Sequence, residues 1–157
     1  ARIALWNLVA AHFSMVEHVR GNIYKNEPLH FLLDDGDIKQ TIKPYYMARI
    51  VDVFEFLRQY PFAEQGKPFH FVVHDPMATW NEGIFGVRWM ENGEHEISHD
   101  PLGEAVELDI QTLTTMLMSY RRPSYLAQIE RMTASAPAIR NLENIIPMDE
   151  PYFSDYF

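Results

Sequence analysis

The residues best suited to chemistry by type and spacing are His95-Glu96-Ile97-Ser98-His99. On a helix this H-E-x-x-H pattern sets two imidazoles one turn apart to bind zinc and leaves the glutamate to act on the metal's water. Here Asn92-Gly93 and Asp100-Pro101 bracket the stretch, and these turn signals predict a hairpin strand. On a strand, residues four apart stand roughly 13 Å from one another, too far to share one ion. A polar edge strand is therefore expected, and no metal. Asp34, Asp35 and Asp37 around Gly36 invite calcium, but a calcium loop needs a bidentate Glu at its twelfth position, where counting from Asp34 gives Tyr45. A solvated turn at a helix end accounts for the trio. Arg121-Arg122 suits either an anion or the dipole and free carbonyls of a helix C-terminus, and the second is expected.

No phosphate loop of the G-x-x-x-x-G-K-[ST] or G-x-G-x-x-G kind occurs, and no G-x-S-x-G elbow. The closing residues, Pro151-Tyr152-Phe153-Ser154-Asp155-Tyr156-Phe157, are dense in aromatics. Aromatics there can anchor a terminus that would otherwise fray, and an anchored terminus places its carboxylate. With a pKa of roughly 3.3 to 3.7 that group is ionised at neutral pH, so it can bind a substrate ammonium or take its proton. From the residues alone, simple packing of the tail is the reading expected, with the placed carboxylate as the alternative.

These residues are positioned by elements organised around Lys43 to Phe62, the clearest change of rhythm in the chain. Tyr45 to Val53 is β-branched and aromatic and predicts a strand; Val53, Phe54, Phe56, Leu57 and Tyr60 then fall on a helix face. Asp52 caps that helix with Glu55 three residues on, and Tyr60-Pro61 closes it. Upstream, Ile3, Trp6, Val9, Ala10, Phe13 and Val16 predict an amphipathic opening helix. An extended piece over Val19 to Tyr24 and a short helix from Pro28 to Leu33 follow. Downstream, strands are expected at Pro68 to Val73, Glu82 to Met90, Glu94 to Ser98 and Ala105 to Leu108. Gly83 and Gly86 mark a bulge or a close backbone approach. Asp109 caps a helix through Leu113, Met116, Leu117 and Tyr120; Ser124 caps a second through Leu126, Ile129 and Met132; Ala138 to Ile145 forms a third. The plan is α+β, a mainly antiparallel sheet packed with helices.

The chain has 157 residues, 47% hydrophobic and 22% charged, enough for a folded domain with a core. It contains no cysteine, so disulfides and thiolate metal sites are excluded, in keeping with a cytoplasmic protein. No apolar run approaches the roughly 20 residues that span a bilayer, so no membrane partner is expected. A net charge of −9 disfavours nucleic acid and favours a cationic partner. Ala1 falls inside the opening helix with no cap ahead of it, the look of a piece of something longer.

Taken together, Tyr46-Met47-Ala48-Arg49-Ile50-Val51-Asp52-Val53 before a helix, then Asp109 to Arg122, Pro123 to Met132 and a terminal segment ending in an aromatic resemble the C-terminal part of the Eis-like (enhanced intracellular survival) acetyltransferases of the GNAT superfamily. The resemblance implies that residues 1–42 close a second GNAT-like domain and that 43–157 form a sterol-carrier-protein-like domain. It implies transfer of an acetyl group from acetyl-CoA to amines of cationic substrates, often by a homo-oligomer. Acetyl-CoA and a tyrosine acid would then belong to a first domain in the rest of the parent protein, leaving this chain inactive alone. Phe157 would carry the terminal carboxylate that acts as base, Asp155 and Tyr156 would lie near the substrate, and Asp52 would sit at the rim of the amine pocket. A different reading is a lipid or apolar-ligand carrier with Trp80, Phe85, Trp89, Met116 and Met118 lining a tunnel, although such residues also build ordinary cores.

Overall fold

The computed structural model describes residues 2–12, 14–21, 39, 41, 47–149 and 151. Several sequence expectations lie outside these residues: Phe13, positions 22–24 of the extended piece, the Pro28 helix, the Asp34 to Asp37 turn, Tyr45 and Tyr46, and the tail from Tyr152 to Phe157. The chain forms two compact units, Ala1–Tyr45 and Tyr46–Phe157. In the first, helix α1 (Arg2–Ala11) half-buries Trp6 and Val9 and leaves Leu5 and Leu8 exposed. It stops short of the expected stripe, where His12 Nδ1 donates to the Leu8 carbonyl at 2.7 Å, and Val16 is exposed beyond it.

The second unit is a five-stranded sheet with helices. Its elements are α2 (Val53–Arg58), β1 (Phe69–His74), β2 (Gly83–Trp89), β3 (His95–Ser98), β4 (Glu104–Asp109), α3 (Ile110–Leu117), α4 (Pro123–Gln128), β5 (Met132–Ala134) and α5 (Ala136–Ile145). The spatial order is β3-β2-β1-β4-β5. The β2–β3 hairpin turns at Gly93, whose φ of 88° is the left-handed geometry an Asn-Gly turn supplies. β1 pairs antiparallel with β2 but parallel with β4, because the chain returns past the hairpin to the other side of β1. The sheet is thus mainly antiparallel, as expected, around one parallel pair.

Strand alternation gathers the core onto one face. Phe69, Phe71 and Val73 of β1 are buried, and the register sets them beside Val87 and Phe85 of β2 and beside Val106 and Leu108 of β4. Ile97 and Met132 extend the face to both edges, and Leu113, Met116, Leu142 and Ile145 cover it from α3 and α5. The opposite face carries His70, His74, Arg88, Glu96 and Glu107, none of them buried.

Three sequence expectations are corrected. Residues 47–52 are irregular, not a strand. Their backbone is satisfied by side chains: the Ile50 N–H donates to Thr114 Oγ1 at 3.3 Å and the Val53 N–H to Asn81 Oδ1 at 2.9 Å, while the Val51 carbonyl accepts from Trp80 Nε1 at 2.8 Å. The helix expected from Ser124 to Met132 has Arg122 at its N-cap and Pro123 in its first turn, and ends at Gln128. Glu130, with φ of 59°, then turns the chain into edge strand β5. Finally, α5 begins at Ala136, two residues early, because Ser135 accepts the Ala138 N–H and Pro137 is tolerated in a first turn.

Candidate functional site

A groove of about 390 Å³ opens between the 49–52 segment and α2, lined by Arg49, Asp52, Glu55, Phe56, Gln59 and Tyr60 among others. Of the residues singled out from sequence, Asp52 lies here. It is exposed, and its Oδ1 accepts the Glu55 N–H at 2.9 Å as the N-cap of α2. Instead of reaching back to the cap, the Glu55 carboxylate takes Arg58 at 2.7 Å. The groove therefore sets the exposed Asp52 carboxylate beside Phe56, while its second carboxylate, Glu55, is already paired with Arg58 and Arg49 also lines it. Tyr60 closes one end, but its hydroxyl is committed to the Leu117 carbonyl at 2.9 Å. Burial pushes that phenol up to about 12, so it stays protonated.

The groove wall is fixed from behind by a residue the sequence did not flag. Asp75, just after β1, is completely enclosed, and Arg49 donates to both of its oxygens at 2.7 Å. Asn81 adds a bond to Asp75 at 3.0 Å and a second to the Val51 carbonyl at 3.0 Å. Burial alone would raise the Asp75 pKa, but the bonds from Asn81 and Arg49 outweigh it and hold the carboxyl below its ordinary range. In sequence, Asp75-Pro76 reads only as a turn, since nothing local reveals that the side chain points inward.

The remaining candidates divide differently. His95 lies on β3, where its Nε2 meets the Leu57 carbonyl at 2.8 Å; His99 follows β3, with Nδ1 3.2 Å from the Ile84 carbonyl and its ring stacked on Phe54. Each imidazole has its own partner, and among the described residues no group of three His, Asp or Glu side chains is arranged to hold a metal. Arg122 does serve helix carbonyls, but those of α5 rather than of its own helix: it donates to the Glu143, Ile146 and Pro147 carbonyls and pairs with the Glu143 carboxylate at 2.8 Å. Arg121 donates to the Tyr120 carbonyl at 2.9 Å, just past the end of α3, and lies over the Tyr120 ring, 4.3 Å from its centroid. Phe157, Tyr156 and Asp155 lie outside the described residues.

The five residues proposed for an apolar tunnel are split between surface and core, with Trp80 66% exposed and Phe85 and Met116 buried. A Cβ on Gly86 would meet the Asp100 carbonyl, one on Gly103 the Pro68 carbonyl, and one on Gly66 the Ile145 and Asn141 side chains, whereas Gly21 and Gly83 face open space.

Known proteins give this geometry a family. Residues 53–154 match the sterol carrier protein domain and residues 1–50 the acetyltransferase (GNAT) domain. No curated protein matches the sequence. Among solved structures, a conserved protein from Enterococcus faecalis V583 described as a "Probable N-Acyltransferase" is 28% identical with a TM-score of 0.80, covering 98% of this chain and 40% of its own. A GCN5-related N-acetyltransferase from Anabaena variabilis is 24% identical with a TM-score of 0.78, covering 94% of this chain and 38% of its own. Eis1 from Mycobacterium abscessus is 20% identical with a TM-score of 0.54, covering 68% of this chain and 26% of its own. The last two show likeness of fold alone, and the chain spans at most 40% of the length of these three relatives. With the whole sheet, helices α2 to α5 and almost all of the second unit inside the match, the chain belongs to the sterol carrier protein domain family, joined here to a segment of a GNAT acetyltransferase domain.

Proposed function

We propose that this chain is the C-terminal portion of an acetyl-CoA-dependent N-acetyltransferase acting on amines of cationic substrates. One observation carries the reading: on a chain with a GNAT segment, Asp52 exposes a carboxylate beside Phe56 in one groove, where Glu55 is paired with Arg58. The Asp52 carboxylate draws in and orients a polyamine-like cation, and the −9 net charge steers it there. Asp155 and Tyr156 contact the substrate, and the terminal carboxylate of Phe157 accepts the proton that the amine must lose before it is a nucleophile. Residues 1–42 close a second GNAT-like domain and 43–157 form the sterol-carrier-like one. Acetyl-CoA is held by a domain of the longer protein, so the chain alone is inactive. The longer protein works in the cytoplasm as a homo-oligomer.

The test is acetyl transfer to polyamines and aminoglycosides by the longer protein, with and without its last residue. Loss of kcat on removing the residue equivalent to Phe157 is the expected result, and unchanged kcat overturns the role of the terminus. Asp52→Asn keeps an N-capping side chain and removes one charge, so it separates the cap from the groove. The expected outcome is unchanged stability with KM for a polyamine raised several-fold; an unchanged KM leaves Asp52 a cap only. Acetyl transfer by the 157-residue chain unaided would overturn its assignment as an incomplete enzyme. The carrier reading finds no support in five residues divided between surface and core.

A further inference from the structure

We propose that His74, held between Glu82 and Glu107, is a proton-operated clasp that fixes the 75–82 loop and, through it, the Arg49–Val53 wall of the groove. His74 ends β1 on the open face of the sheet. Its Nδ1 lies 3.1 Å from Glu82 Oε1 and its Nε2 3.0 Å from Glu107 Oε1. An ionised carboxylate only accepts hydrogen bonds, so both ring nitrogens donate, and an imidazole with two N–H groups is the charged form. The two carboxylates come from different elements: Glu107 from β4 and Glu82 from the residue before β2. One cation therefore ties a strand to a loop.

What the clasp holds is the groove's support. The second oxygen of Glu82 accepts the backbone N–H of Asp75 at 2.5 Å. Asp75 binds Arg49, and Asn81, the neighbour of Glu82, donates to the Val51 carbonyl and accepts from the Val53 N–H. Trp80 completes the connection, with its indole N–H on the same Val51 carbonyl. Asp109, opposite His74 in the β4 register, also faces this end of β1 and is paired with Arg131 at 2.9 Å. Hydrogen bonds to Glu107 and then Glu82 raise the His74 pKa above its ordinary value, in the direction the geometry requires. A neutral ring keeps one donor, so one carboxylate is released as pH rises through that raised value. The clasp is closed below it and open above.

The clasp does not depend on the acetyl-transfer reading, and its test reads structure rather than activity. In nitrogen-resolved NMR of the 157-residue chain, the His74 ring is expected to titrate with a midpoint above the ordinary 6.5 or so. The Trp80 indole and Asn81 side-chain amide signals should shift with the same midpoint. His74→Gln should abolish that transition at Trp80 and Asn81. If this variant does not fold, Glu107→Gln, which keeps the ring and the loop, should lower the His74 midpoint. A midpoint at or below about 6.5, a midpoint that Glu107→Gln leaves in place, or Trp80 and Asn81 signals that ignore the His74 titration would each overturn the clasp.

Discussion

Asp75 is the residue on which the groove wall depends most. In Asp75→Ala, Asn81 Nδ2 loses one of its acceptors and Arg49 loses both of its bonds to the carboxylate. Removing one partner of a fully buried pair costs about 3–5 kcal/mol. Arg49 is 41% exposed and can turn to water, so a loss nearer about 2 to 3 kcal/mol is expected, read from the urea midpoint at unchanged slope. None of this was visible in the order of residues, because Arg49 and Asn81 are distant or turn-borne and the burial of Asp75 is a property of the packed loop. Asp52, by contrast, was legible as a helix cap. Capping is local, and an acid three residues before a glutamate, ahead of an apolar run, stands out without any other part of the chain.

Among the elements, caps and close approaches decide where helices begin and how strands meet. Asp109 caps α3 through the Thr112 N–H at 2.7 Å and also holds Arg131. Asp109→Ala should cost about 1 to 2 kcal/mol and speed amide exchange in the first turn of α3. Gly103 poses a stricter requirement. Its φ of 53° favours glycine, and a Cβ there would overlap the Pro68 carbonyl just ahead of β1. Gly103→Ala should therefore destabilise by about 2 kcal/mol or more, with the β1–β4 pairing losing exchange protection first. Strand and turn positions in this region were readable from alternation and from Asn-Gly and Asp-Pro signals. The parallel pairing of β1 with β4 was not, since local pattern does not say which neighbour a strand will choose.

For the molecule as a whole, charge sets a stability window. Glu82 and Asp75 have depressed pKa values: backbone and His74 hydrogen bonds lower Glu82, and at Asp75 hydrogen bonds overcome burial. A depressed carboxyl contributes stability above its unfolded pKa, and that contribution is lost as pH falls through the lower folded value. His74 runs the other way, because its folded pKa is raised. Its contribution is complete below the unfolded value and is lost as pH rises through the folded one. Thermal midpoints should therefore be highest between about pH 4.5 and 6.5 and fall on both sides, with the alkaline fall reduced in His74→Gln.

Interactions between residues a few positions apart dictate the α+β plan, the strand-rich centre, the Asn-Gly hairpin and the caps at Asp52 and Asp109, so the order of amino acids was enough to settle them. The same local signals kept His95 and His99 off a helix, and each imidazole meets a backbone carbonyl. Packing settled the rest: that 47–52 would be irregular, that Arg122 would serve the end of α5, and that Asp75, Asn81 and Arg49 would converge behind the groove. The physical cause is common to all three. A buried backbone or charged group takes whichever partner the packed chain brings within about 3 Å, and that partner can lie tens of residues away.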